Sequence, residues 1–249
     1  MNRLQVYLST IGTDSGSVSK EWGLGLEIAQ FCTAANIDEN FDSKDFEVRQ
    51  QIVSGQNVIF HAPFNELFPC AIDPKARELA AFRYRQAIDL ALEYGASKIV
   101  IHGGYNPYIY YPVWYTEQSI LFWRDFLQED PKIQIVLENV LEEESAYILD
   151  IVREVDHPDF RMCLDIGHVN AYASHSPVQW LQECAAWISH FHIHNNDGSW
   201  DSHNSLEHGT IPMEALLRQA DSICPEATYT LEVIDALQSV AWMQRHRFI

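Results

Sequence analysis

The segment QIVLENVLEEESAYILDIVREVDHPDFRMCLDIGH, residues 134–168, spells one strand–helix–strand unit. QIVLENV (134–140) and RMCLDIGH (161–168) are short apolar, β-rich runs, and Glu143–Val155 between them has the spacing of an amphipathic helix. Both runs carry a carboxylate toward their C-terminal end, Glu138 in the first and Asp165 in the second. An unpaired carboxylate is least tolerable at the end of an apolar strand, so both read as working residues.

The same unit repeats outward in both directions. Before it come LQVYLS (4–9), a weak run around Ala35–Phe41, NVIFHA (57–62) and KIVIHGG (98–104). After it come ISHFHIH (188–194) and TYTLEVI (228–234). Helical patterns are predicted over Pro74–Tyr94, which stops at Gly95, and over Thr116–Leu127, Pro177–Ala186, Pro212–Ser222 and Ala236–Arg245. Pro212 falls where a first helical turn tolerates proline. Eight strand candidates alternating with helices argue for a parallel sheet. A doubly wound sheet would carry a Gly-rich phosphate turn after its first strand, and LQVYLS is followed by none. No linker or low-complexity stretch divides the chain, so residues 1–249 read as a single α/β domain, a (β/α)8 TIM barrel.

Composition narrows the partners. The chain has 249 residues, 47% of them hydrophobic, with 16 Lys+Arg against 35 Asp+Glu and a formal charge of −19. That balance, with only five lysines, disfavours nucleic acid and anionic membrane surfaces, which select for basic footprints. A small-molecule substrate is the expected partner, and the oligomeric state is not readable. The N-terminus lacks a signal-peptide layout and no apolar run reaches the ~18 residues of a membrane span. Five scattered cysteines without a CxxC read as reduced residues of a cytoplasmic protein.

The polar residues fall in a pattern. Strand after strand ends in a metal-competent side chain: His61, His102, Glu138, Asp165 with His168, His192 with His194, and Glu232. In a βα barrel those ends share one mouth, where active sites are built. Imidazoles and carboxylates without thiolate suit a divalent ion, zinc first, with manganese, cobalt or iron as alternatives. The loop DGSWDSHNSLEHGTIP (197–212) adds Asp201 and His203, which can turn toward one ion. His190 shares the parity of His192 but lies deeper, as a packed core histidine. The aromatic stretch YNPYIYYPVWY (105–115) reads as a wall of the substrate pocket, with Tyr105 and Trp114 as contacts and His194 beside them. Glu142–Glu144 reads as a charge run that complements a helix dipole.

HAPF (61–64), HGGY (102–105), LENV (137–140), CLDIGH (163–168), HIHNNDG (192–198), DSHNSLEHGTI (201–211) and TLEV (230–233) resemble the xylose-isomerase-like TIM barrels. That superfamily takes in apurinic-site endonucleases, sugar isomerases and sugar-phosphate epimerases. The endonuclease branch implies nine ligands for three zinc ions, falling on His61, His102, Glu138, Asp165, His168, His192, Asp201, His203 and Glu232. The isomerase and epimerase branch implies Glu138, Asp165, His192 and Glu232 around one ion, with the two glutamates also handling protons. Two features depart from the resemblance. EHG (Glu207–Gly209) stands where GEG is usual, and the basic DNA grip of the endonucleases has no counterpart.

The expectation is a metal-dependent isomerase or epimerase holding one to three ions. It would act on a small sugar or sugar-like hydroxy-carbonyl compound by proton transfer, with Glu138 and Glu232 as catalytic residues. The alternative is a zinc-dependent phosphodiester hydrolase resembling the apurinic-site endonucleases. Three zinc ions would offset 6 of the 19 negative charges and leave −13, which still repels DNA.

Overall fold

The computed structural model of the chain describes residues 3–249. Eight parallel strands form a closed barrel: β1 (Val6–Ser9), β2 (Gly25–Ile28), β3 (Val58–His61), β4 (Lys98–His102), β5 (Gln134–Glu138), β6 (Phe160–Asp165), β7 (Ile188–Ile193) and β8 (Thr228–Leu231). Each strand pairs with its neighbours in sequence, and β1 closes on β8, so no edge is left for another chain to extend.

The helices follow as α1 (Ser15–Trp22), α2 (Ala34–Asp38), α3 (Phe41–Gln51), α4 (Pro74–Glu93) and α5 (Pro112–Phe126). The remainder are α6 (Ser145–Val155), α7 (Ile166–Tyr172), α8 (Pro177–Cys184), α9 (Met213–Ile223) and α10 (Ala236–Arg245). Proline opens α4, α5 and α8, and Gly95 ends the α4 turn with φ of +71°, where a side chain would be strained. Pro212 sits one residue outside α9 rather than in its first turn. No helix of the described residues is long and apolar enough to cross a membrane.

One strand lies elsewhere than its sequence pattern suggests. The run Ala35–Phe41 supplies α2 and the start of α3, and only Ile37 of α2 is buried. The second strand is Gly25–Ile28, whose Leu26 and Ile28 are fully buried. Glu27 interrupts that apolar run and hides it. Gly25 is required there, because a Cβ would come within 2.3 Å of the Tyr7 ring on β1.

Strand parity separates two cores. Leu8, Leu26, Phe60, Ile101, Leu137, Leu164, Phe191 and Leu231 face outward into the apolar layer beneath the helices. Tyr7, Ile59, Val100, Val136 and Cys163 touch one another inside the barrel. Two residues further along β3, β4, β5 and β6 stand His61, His102, Glu138 and Asp165. A period of two keeps them on the inner face, one layer nearer the C-terminal mouth. The apolar layer is therefore the floor on which the polar one rests.

Candidate functional site

Strand register levels the polar side chains. His102 pairs with Glu138 across β4 and β5, and Asp165 with His192 across β6 and β7. Glu138, Asp165, His192 and Glu232 each bring one ligand-competent atom within 4.8 Å of the others. His192 Nδ1 lies 3.1 Å from both Glu138 Oε1 and Glu232 Oε2, and 3.8 Å from Asp165 Oδ2. A second group joins His61 and His102, whose Nε2 atoms stand 3.5 and 3.4 Å from Glu138 Oε2. A third joins His168, His194, Asp201 and His203. There His203 Nε2 and His168 Nε2 meet Asp201 Oδ2 at 3.0 and 3.2 Å. All nine expected ligand side chains are thus in one contiguous cluster, and His194 is a tenth member.

The donor set fits divalent cations. Glu138 Oε2 and Asp201 Oδ1 are buried and accept no hydrogen bond, and leaving such an oxygen unmatched costs about 1–3 kcal/mol or more. The imidazoles are also aimed. Nδ1 of His61, His168 and His203 meets the backbone carbonyl of Ala62, Asn139 and Glu232 at 2.8, 2.9 and 2.8 Å. A carbonyl only accepts, so Nδ1 carries a proton, and Nε2 faces the cluster, where it would bind a metal once its own proton is displaced.

Protonation follows from burial set against neighbouring charge. Burial pushes the Glu138 carboxyl up, but His192 and His102 outweigh it and hold Glu138 well below its ordinary range. Glu232, opposed in the same way by burial, is held at about 2 by His192 and His203. Burial depresses the His203 imidazolium, but its bond to Asp201 and the Glu232 charge lift it to about 9. His102 goes the other way, and burial takes it to about 4. Glu138 and Glu232 are therefore ionised at neutral pH, balanced by imidazolium protons that a metal would displace.

Local chemistry explains the motifs. In CLDIGH, Asp165 caps α7, its Oδ1 accepting from the His168 backbone N–H at 2.7 Å. A Cβ on Gly167 would sit 1.9 Å from the His194 ring, so only glycine allows His194 to pack there. In the loop after β7, Asn195 bonds the Leu206 carbonyl and the Ile211 N–H at 2.9 and 3.1 Å. This brace fixes the loop carrying Asp201 and His203. His203 holds φ of +46°, an unusual conformation for a side-chain-bearing residue.

Above the cluster opens a cavity of about 330 Å³. One side is the polar cluster, and the other is apolar: Ile11, Ala29, Cys32, Phe64 and Val140. No lysine or arginine is among its lining residues.

Three expected substrate contacts lie elsewhere. His194 is fully buried and meets Asp165 at 3.2 Å, below the cavity. Tyr105 is buried against Tyr115 and Tyr147. Trp114 turns its indole N–H to the Cys70 carbonyl at 2.9 Å. The chain after β4 folds back over the helix layer, so the aromatic wall is Phe64, stacked on His102 at 4.4 Å. Glu142 is not a helix-dipole charge either. It is buried, accepting from Tyr115 Oη and the Val140 N–H at 2.6 Å each. Sequence reasoning missed Glu27, a fully buried carboxylate on β2. An acid inside GLGLEIA was the available signal, as it was in QIVLENV.

A closed (β/α)8 barrel with histidines and carboxylates gathered at its C-terminal mouth defines a class of TIM barrels with a polar site at the strand ends. Within it, the chain belongs to the Xylose isomerase-like TIM barrel family, which matches residues 23–246. An uncharacterized protein of Methanocaldococcus jannaschii is 27% identical over 237 residues, 88% of this chain and 77% of the relative. Among solved structures, a D-tagatose 3-epimerase-like protein is 22% identical with a TM-score of 0.80, covering 98% of this chain and 97% of that one. A Thermus thermophilus protein, solved after soaking with zinc chloride, is 24% identical with a TM-score of 0.77, covering 98% of both chains. At these identities the two structures speak for the fold.

Proposed function

We propose that the protein is a divalent-metal-dependent isomerase or epimerase acting on a small, unphosphorylated sugar or related hydroxy-carbonyl compound by proton transfer. The observation that carries this reading is the convergence of Glu138 and Glu232 on His192 Nδ1, at 3.1 Å each. The descriptions of the similar structures, one epimerase-like and one soaked with zinc, agree with it.

Glu138, Asp165, His192 and Glu232 would hold one ion, and the neighbouring histidine groups offer room for others. Such an ion, zinc or alternatively manganese, cobalt or iron, supplies polarisation of a carbonyl and stabilisation of the adjacent enediolate. The chain supplies the proton chemistry. Both glutamates are ionised at neutral pH, so each is competent to take the proton next to the carbonyl. They stand on β5 and just past β8 and reach the substrate from different sides. Return of the proton to the same carbon from the opposite face would give epimerisation. Delivery to the former carbonyl carbon, with the hydroxyl proton passing between the two oxygens, would give isomerisation. Phe64 and Val140 line the cavity, where they would shield a reacting carbon from water, and Phe64 would offer an aromatic surface to sugar C–H groups. The absence of Lys and Arg from the cavity lining favours a substrate without phosphate.

The test is a panel of aldoses and ketoses incubated in D2O with Mn2+, Co2+ or Zn2+. Product carrying solvent deuterium next to the carbonyl is expected. Turnover without deuterium would replace proton transfer by hydride shift, and no turnover on any member would reject the reading. The three adjacent ligand groups also suit a multi-ion phosphodiester hydrolase. Elemental analysis finding three zinc ions per chain, with metal-dependent incision of an abasic duplex, would favour that class instead.

A further inference from the structure

Below the candidate metal cluster a chain of hydrogen bonds runs along the barrel axis. Lys98 Nζ meets Thr228 Oγ1 at 2.9 Å, and that oxygen meets His190 Nδ1 at 2.7 Å. His190 Nε2 meets Thr230 Oγ1 at 3.0 Å, which donates to Glu27 Oε2 at 2.7 Å. From the other side, His192 Nε2 reaches the same Glu27 oxygen at 3.1 Å.

The chemistry of these groups orders the protons. The Lys98 ammonium only donates, to the Ser189 carbonyl at 2.6 Å and to Thr228. The Thr228 hydrogen has His190 Nδ1 at 2.7 Å as a nearer acceptor than the Ser189 carbonyl at 3.4 Å. His190 then carries its proton on Nε2 and gives it to the Thr230 oxygen, whose hydrogen goes to Glu27. From Thr228 onward the donors run toward one carboxylate, and the carboxylate only accepts. His192 must therefore place its N–H on Nε2. Its Nδ1 faces Glu138 Oε1 and Glu232 Oε2 at 3.1 Å each, where a proton bridges them in the metal-free protein and a cation would take its place. His61, His168 and His203 take their orientation from backbone carbonyls. His192 lies deeper, among strands whose carbonyls are spent on the barrel ladder, so a side chain does that work.

We propose that Glu27 is a positioning residue, which fixes the His192 tautomer and turns Nδ1 on the metal, with the chain from Lys98 to Thr230 holding Glu27 in place. The inference rests on the metal-centre reading above. Carboxylate partners of metal-binding histidines are worth about 10–100-fold in metal affinity.

The test pairs zinc titration against a chromophoric chelator with long-range 1H–15N correlation of the zinc-loaded protein. Glu27→Gln keeps the acceptor oxygen and the volume but removes the charge, and should weaken the tightest zinc site about 10–100-fold. The wild-type spectrum should show His192 protonated on Nε2 and coordinated through Nδ1. A proton on Nδ1, or E27Q affinity within about twofold of wild type, overturns the proposal. Should E27Q fail to fold, the wild-type spectrum decides alone. Wild-type protein that takes up no divalent ion would overturn the metal-centre reading and this inference together. Zinc-binding wild type with an unaffected E27Q overturns only the inference.

Discussion

Replacing Glu232 with Gln tests the electrostatics and the chemistry at once. Glu232 is buried, and its carboxyl is held at about 2 against an ordinary 4.5, with burial overcome by His192 and His203. At about 1.4 kcal/mol for each tenfold change in acidity, that difference is worth about 3 kcal/mol of folding stability in the ionised form. Glutamine resembles the protonated acid, so the metal-free variant should lose about 3 kcal/mol at neutral pH. For a chain of this size that lowers Tm by about 6–12 °C. A depressed carboxyl contributes its full stability above the unfolded value and loses it as pH falls through the folded one. The gap between wild type and E232Q should therefore be complete at pH 7 and narrow between 4.5 and 2. Urea unfolding of both proteins without metal, at pH 7 and at about pH 3.5, measures it. Turnover should fall by about 10²–10⁴-fold, since a positioned base is lost. An E232Q protein as stable as wild type at pH 7, or a gap that ignores pH, would refute the electrostatic account. Near-normal turnover would refute the acid–base assignment.

Two further outcomes are expected. His203 is lifted to about 9 despite burial, so its ion pairs stabilise the metal-free protein fully below about pH 6.5 and fade as pH rises through 9. Melting without metal should drop between pH 6 and 9.5 while zinc affinity climbs from pH 6 to 8, because the metal competes with those protons; a flat melting profile would count against it. Gly167→Ala drives a methyl group to 1.9 Å from the His194 ring and should cost about 1–3 kcal/mol and weaken zinc binding at the His168, His194, Asp201 and His203 group. Wild-type stability with unchanged zinc stoichiometry would show that the ring has another place to go.

Much of this protein is legible along the chain because βα barrels write their plan in short range. Alternation of apolar runs with amphipathic ones named seven of the eight strands, and Ala236–Arg245 is helical over the range its pattern predicts. The period of two put His61, His102, Glu138, Asp165 and His192 on the inner face of consecutive strands, so their meeting follows from closure. The second strand escaped because Glu27 breaks its apolar run, and that carboxylate is tolerable only through partners 163 to 203 residues away. Parity names the face of a strand but not the depth or the neighbour. His194 shares the parity of His192, yet the glycine at 167 opens a pocket that takes its ring below the cavity. Tyr105 follows its strand end as closely as Phe64 does, but it packs on Tyr115 and Tyr147 of the helix layer, and Trp114, carried on α5, turns to Cys70. Periodicity is a property of neighbouring residues, and it determined the barrel and its ring of histidines and carboxylates. Which buried group answers which, and which wall meets a substrate, depends on contacts that exist only once the sheet has closed.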